Sequence, residues 1–276
     1  MQTLEAGEFV WCAVFSPYLS EGNQTVVIRL HSWPERHVLG AIARFIGHET
    51  TFVVLDQDKL EMRWFAGQHE VPLCGHCALA ASAVFAWRLK SDELLEVNNL
   101  RGKLWLTRVE DEPHVVFPRA RLAEVPAGSF DLGIPVLRAF DAGRDYLFVI
   151  EDEELLKRFD PQSAGIERLD KIGCIVSSPS PSSTATFRFF APRVGIQEDR
   201  ASGSVIPALV EYWAHDKTGN HTFEQASGHN IRIRARRFGD RVGISGEVLE
   251  FARGKLVQLS ATGSAAPFPE LQSAAK

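Results

Sequence analysis

Long apolar runs are missing from this 276-residue chain, and no stretch approaches the roughly 20 residues that cross a bilayer as a helix. Basic blocks are missing too. With 30 Lys and Arg against 35 Asp and Glu, the net charge of −5 disfavours nucleic acid as a partner. The four cysteines, Cys12, Cys74, Cys77 and Cys174, include one close pair, which argues against a secreted disulfide framework and fits a reducing compartment. Met1-Gln2-Thr3-Leu4-Glu5 lacks the basic and apolar regions of a signal peptide, so the expected location is the cytoplasm, with no membrane partner. No HExxH, GxSxG, GxGxxG or GxxxxGK motif stands in a strand–turn–helix setting, and Cys74 and Cys77 lack a second close pair. The expectation is a protein free of metal and nucleotide.

What is present is a pair of similar helix starts, Leu73-Cys74-Gly75-His76-Cys77-Ala78 and Ala201-Ser202-Gly203-Ser204-Val205-Ile206. Each sets small or polar residues before a short, nearly all-apolar helix, about Gly75 to Leu89 and about Ser204 to His215. A helix with no polar face runs through the middle of a lobe. Its unpaired first N–H groups and positive dipole end form a seat for an anion.

The flanking pattern repeats. Strands are predicted over Phe9 to Phe15, Thr25 to Leu30 and Phe52 to Leu55, and a helix over Pro34 to Phe45. A hairpin turns at Glu110 to Pro113. In the second half strands fall at Asp145 to Ile150, Cys174 to Ser178, Thr186 to Phe190, Thr222 to Gln225, Ile231 to Arg237 and Arg241 to Ile244. A helix spans Asp152 to Phe159, and Val248 to Leu259 supplies the last strands. This order predicts an internally duplicated α/β (α+β) protein. Its expected parts are an N-terminal lobe (1–118), a linker (119–135), a C-terminal lobe (136–260) and a flexible tail (261–276).

Among chemical candidates, Cys74-Gly75-His76-Cys77 has the form of a thiol–disulfide motif at a helix start, where the first thiol's pKa falls. Its place in the middle of a lobe and the preceding Leu73 favour Cys77 as a buried small residue instead. Two-thiol racemisation needs a cysteine beside Gly203, where Ser202 stands. Glu49, at the mouth of a buried strand, is either a carboxyl group with a pKa raised by desolvation or a solvated glutamate. His76 is open to capping, carboxylate binding or proton relay, and Asp199 to a turn or a functional role.

Taken in order, Gly22-Asn23-Gln24, Glu49-Thr50-Thr51-Phe52, Pro72-Leu73-Cys74-Gly75-His76-Cys77 and Gly195-Ile196-Gln197-Glu198-Asp199-Arg200-Ala201-Ser202-Gly203-Ser204 span nearly the whole chain. They resemble the PhzF-like family, isomerases related to phenazine biosynthesis, within the wider diaminopimelate-epimerase fold. Its members tend to read Gly-Asn-Pro, Glu-Thr-Ala-Phe, Pro-Leu-Cys-Gly-His-Ala and Gly-Ile-x-Glu-Asp-Pro-x-Thr-Gly-Ser-Ala. The resemblance implies two lobes, each a curved, mostly antiparallel sheet around one central helix, with the site between them. It implies Glu49 as proton carrier, His76 and Asp199 as residues tuning that transfer, and Asn23, Gly75, Gly203 and Ser204 as substrate contacts. It also implies no cofactor, a small carboxylated substrate of secondary metabolism such as antibiotic biosynthesis, and a homodimer. The leading expectation is an isomerase, or a related lyase or cyclase; a non-catalytic binding protein with the same cleft is the alternative, against which the intact Glu49, His76 and Asp199 set argues.

Four departures from the pattern surround the site. Gln24 replaces proline and is expected to relax a loop. Arg200 replaces proline and adds a cation. Ser202 replaces threonine, and Val205-Ile206-Pro207 replaces small residues, with Pro207 tolerable in a first turn. A substrate other than the phenazine precursor is the resulting expectation.

Overall fold

The computed structural model describes residues 4–56, 59–86, 89, 93–99, 102–162, 165–215, 219–229 and 231–256. The expected tail lies outside the described residues. The first half holds β1 (Glu8–Val14), β2 (Asn23–Leu30), α1 (Arg36–Ile46), β3 (Glu49–Asp56), β4 (Lys59–Ala66), β5 (His69–Val71), α2 (Gly75–Val84), β6 (Leu95–Asn99), β7 (Gly102–Val109) and β8 (Glu112–Pro118). The second holds β9 (Ala123–Val125), β10 (Arg138–Asp141), β11 (Asp145–Val149), α3 (Glu153–Arg158), β12 (Gly173–Ser178) and β13 (Ala185–Phe190). It continues through α4 (Ile206–Trp213), β14 (Asn220–Gln225), β15 (Ile231–Phe238), β16 (Arg241–Ser245) and β17 (Val248–Lys255).

Strand pairing shows the duplication directly. From β1 through β2, β3, β4, β6, β7 and β8, neighbours run antiparallel, parallel, antiparallel, parallel, antiparallel, antiparallel. From β10 through β11, β12, β13, β14, β15 and β16 the same six relations recur in the same order. The first parallel pair in each half is bridged by α1 or α3, and the second by a connection carrying α2 or α4. These are the crossovers that parallel neighbours require. The two lobes are joined edge to edge where β16 pairs with β8.

Outer strands follow a different rule. Although β17 follows the second half in sequence, it pairs with β1, and β9, which follows the first half, pairs with β10. Part of the expected C-terminal lobe therefore completes the N-terminal sheet, and part of the expected linker completes the other.

Every residue of α2 is buried, as its nearly all-apolar sequence requires, and it packs against β1, β2, β3 and β8. The second helix is shorter and less enclosed than its sequence suggests. A 3₁₀ turn over Gly203–Val205 precedes α4, whose buried residues run only from Ile206 to Val210. Glu211 explains the difference. Its carboxylate needs partners and finds Arg119 at 2.6 Å and His215 at 2.8 Å on the outer side. Pro207 sits in the first turn of α4, where a missing N–H is harmless.

The two helix starts abut. A Cβ added to Gly75 would stand 2.7 Å from the Ser204 backbone nitrogen and 2.9 Å from the Gly203 carbonyl carbon. A Cβ on Gly203 would instead meet Ile244 Cδ1 at 2.7 Å and the edge of Phe15. Backbone cannot yield as a side-chain end can. Gly75→Ala should therefore cost about 1–3 kcal/mol through overpacking, and more than Gly203→Ala. Equilibrium urea unfolding of the two variants checks this, and an equal or smaller loss for Gly75→Ala would contradict the close approach.

Candidate active site

Glu49 is placed by the end of α1. Gly47 adopts a left-handed conformation (φ 78°) and donates its N–H to the Ala43 carbonyl, which ends the helix and aims the chain into β3 two residues later. Thr25, opposite Glu49 on the neighbouring β2, donates its hydroxyl to the Glu49 carbonyl at 2.8 Å. The strand therefore delivers the Glu49 side chain to the start of α2.

There Glu49 Oε2 lies 3.1 Å from His76 Nε2. The His76 side chain is 4% exposed and that of Glu49 30%, so the carboxylate faces the opening and the imidazole backs it. The Asn23 amide nitrogen lies 3.2 Å from His76 Nδ1 and also donates to the Ala201 carbonyl at 3.1 Å and to Asp199 Oδ1 at 3.4 Å. The Ala201 carbonyl only accepts, which fixes the amide orientation; while the ring is neutral, Nδ1 is then the acceptor and the imidazole proton sits on Nε2 toward Glu49. Asp199 is held in turn by the Ser202 hydroxyl, which donates to Oδ2 at 2.6 Å. Gln225 locks that turn. It accepts from the Ser202 N–H at 2.7 Å and donates to the Asp199 carbonyl at 2.6 Å. A continuous polar path thus crosses between lobes from Glu49 through His76 and Asn23 to Asp199.

Electrostatics differ from the desolvation expected for Glu49. Burial does push its pKa up, but the charge and hydrogen bond of His76, with a smaller share from the Cys74 thiol, outweigh it and hold the carboxyl below the ordinary range. Burial works against a charged His76, yet Cys77 and Glu49 beside it raise its pKa well above the usual value. Asp199 moves up, chiefly through burial and against the pull of His76. At rest the cluster holds an anionic Glu49 beside a proton on His76.

Cys74 and Cys77 complete the wall. Cys74 Sγ lies 3.8 Å from Glu49 Oε1, and Cys77 Sγ lies 3.5 Å from His76 Nε2. Burial, with the hydrogen bond and charge of Cys77, drives the Cys74 pKa well up. That is the reverse of an activated first thiol. Cys77 moves the other way: against its burial, the Cys74 hydrogen bond and the charge of His76 lower its pKa to about 6, so within the motif the second thiol is the acidic one.

The phenazine biosynthesis-like protein family, PhzC-PhzF, matches over residues 12–117 and 118–248. The chain belongs to this family. An uncharacterized isomerase of Pseudomonas aeruginosa is 32% identical over 255 residues, covering 90% of this chain and 98% of the relative. A PhzF-family crystal structure from Enterococcus faecalis superposes with a TM-score of 0.79 at 28% identity, covering 90% and 98% of the two chains. A probable proline racemase from Agrobacterium radiobacter K84 shares the fold alone, at a TM-score of 0.57 and 9% identity.

Within this PhzF-like chain, Glu49, His76, Asn23 and Asp199 come together, and Gly75, Gly203 and Ser204 form the junction beside them. The Ser204 hydroxyl is engaged by Arg144 Nη2 at 3.1 Å, and Arg144 itself pairs with Asp145. Gln24 does not loosen a loop. It is the second residue of β2 and pairs with Ala13. Arg200 donates to the Ser20 carbonyl at 3.1 Å and so ties the loop after β1 to the second lobe. Sequence reasoning did not single out Gln225 or Thr25, nor the bond from Ser202 to Asp199. Gln225 and Thr25 act through backbone groups far away in the chain, which no local motif reports.

Glu49→Gln should lower the His76 pKa, because the substitution removes one of the anions that raise it. Ring-proton NMR titration of the metal-free protein checks this. An unchanged or higher value would contradict the pairing.

Proposed function

We propose that this PhzF-type isomerase moves a proton along a small carboxylated substrate with Glu49 as general base and then general acid. The observation that carries the reading is the Glu49–His76 pair, 3.1 Å apart, at a helix start that abuts the other lobe. An anionic Glu49 is ready to accept a proton from carbon. Once Glu49 is neutral, its attraction to His76 weakens. The imidazole, still oriented by Asn23, then steadies the carboxyl while the proton is returned at a second carbon.

Negative charge grows on the substrate as the proton leaves. Neither Cys74 nor Ser202 caps its helix with a side-chain hydrogen bond, so first-turn N–H groups at both starts are available to that charge. A preorganised donor of this kind contributes about 3–4 kcal/mol to a transition state. The chemistry of this set needs no cofactor. Arg200 and the turn around Ser202 differ from the family pattern, which supports a substrate distinct from the phenazine precursor. The reading extends to a cytoplasmic homodimer that acts in secondary metabolism.

Glu49→Gln tests the assignment. On the carboxylate turned over by the wild type, kcat should fall about 10²–10⁴-fold while ligand binding persists. Turnover within a few-fold of wild type would remove Glu49 from the mechanism.

A further inference from the structure

Glu49, Cys74, His76 and Cys77 offer one donor atom each, and all four atoms lie within 4.8 Å of one another. In the sequence, Cys74 and Cys77 lacked further ligands. The fold supplies Glu49 from β3 and turns His76 into the same space. From these positions we infer that the chain has a zinc site, tetrahedral and made of two thiolates, one imidazole and one carboxylate, that closes over the proton carrier.

The spacing supports the ion's geometry. Zinc bonds of about 2.3 Å to sulfur and 2.0–2.2 Å to nitrogen and oxygen give tetrahedral edges of roughly 3.4–3.8 Å between ligand atoms. Here His76 Nε2 lies 3.5 Å from Cys77 Sγ, 3.8 Å from Cys74 Sγ and 3.1 Å from Glu49 Oε2. Cys74 Sγ lies 3.8 Å from Glu49 Oε1. These four distances stand within a few tenths of an ångström of the required edges, the two carboxylate oxygens serving different edges, and all four donors lie within 4.8 Å of one another before any ion arrives. A mixed sulfur–nitrogen–oxygen set of this shape selects zinc over magnesium or calcium.

Entry and proton balance are also defined. Glu49 is the donor open to solvent, while both thiols and the imidazole are buried, so the ion enters past the carboxylate. As the ion binds, the thiols and Nε2 of His76 give up the protons they carry to solvent. Coordination at Nε2 leaves the imidazole proton on Nδ1, so binding requires Asn23 to give up its bonds to Ala201 and Asp199 and turn its amide oxygen toward the ring. Cys77 stands where the family pattern has alanine, so the second thiolate is a feature of this chain.

The functional consequence rests on the reading of Glu49 as the proton carrier. Bound zinc occupies the lone pairs that Glu49 and His76 need, so metal and turnover exclude each other.

The test uses the reduced, metal-free full-length protein and Co²⁺ alone as the probe. One equivalent of Co²⁺ should produce thiolate charge-transfer absorption and intense tetrahedral ligand-field bands, and Zn²⁺ should displace it. Cys77→Ala should bind roughly tenfold or more weakly, since a lost ligand costs at least as much as a lost outer partner. Replacing Cys12 and Cys174 together with serine should leave the bands in place. Absence of thiolate bands in the wild type overturns the site without recourse to any variant. Bands unchanged in Cys77→Ala, or lost with Cys12 and Cys174, overturn the ligand assignment. If Co²⁺ binds as stated but saturating Zn²⁺ leaves turnover intact, the site stands and the Glu49 mechanism fails. If no metal binds, the site fails and the Glu49 mechanism is unaffected.

Discussion

Everything at the centre of this protein depends on how closely two backbones meet at Gly75 and Ser204. A side chain at Gly75 would sit 2.7 Å from the Ser204 nitrogen, so the hydrogen of glycine is what lets one helix start press against the other. Each lobe can bury an apolar helix by itself. Only their contact puts the unsatisfied ends of both helices at one place, and with them the polar residues that precede each start. Asn23 is one side-chain fastener across this seam, since its single amide group reaches His76 in one lobe and Asp199 and Ala201 in the other.

That seam sets the charges. A glutamate half-covered by protein is ordinarily pushed toward its neutral form. Glu49 moves the other way because a buried imidazole lies 3.1 Å away and outweighs the cost of burial. Asp199, farther along the same path, stays on the high side. Two carboxyl groups near one histidine thus have their pKa values moved in opposite directions. Such separation of neighbouring acids is how one fold performs acid and base chemistry at neutral pH.

Much of the architecture was legible in the chain. The nearly all-apolar Gly75–Val84 stretch, the hairpin at Glu110 and Asp111, and the order of elements in the two halves could be read from periodicity and turn residues. The strand Lys59–Ala66 carries a readable alternation in Leu60, Met62 and Trp64, although no strand was expected there. His69–Val71 and Ala123–Val125 are three residues long, too short to show a period, and exist through their neighbours. The exchange of β9 and β17 between halves left no sequence mark, because pairing partners are chosen by tertiary position. At the site, residue types were legible and their electrostatics were not. Glu49 and His76 lie on different elements, a strand and a helix, so the direction of their mutual pKa shift follows only from the fold.

The role of Glu49 as a carrier of protons to and from carbon can be tested on the wild-type protein itself. Incubation in D₂O with small unsaturated carboxylic and amino acids, followed by mass spectrometry and NMR, reads both the position and the isotope of every transferred hydrogen. The expected result is a rearranged product carrying solvent deuterium at the carbon that receives the proton. A ligand that binds in the cleft and is recovered neither rearranged nor deuterated would contradict that role.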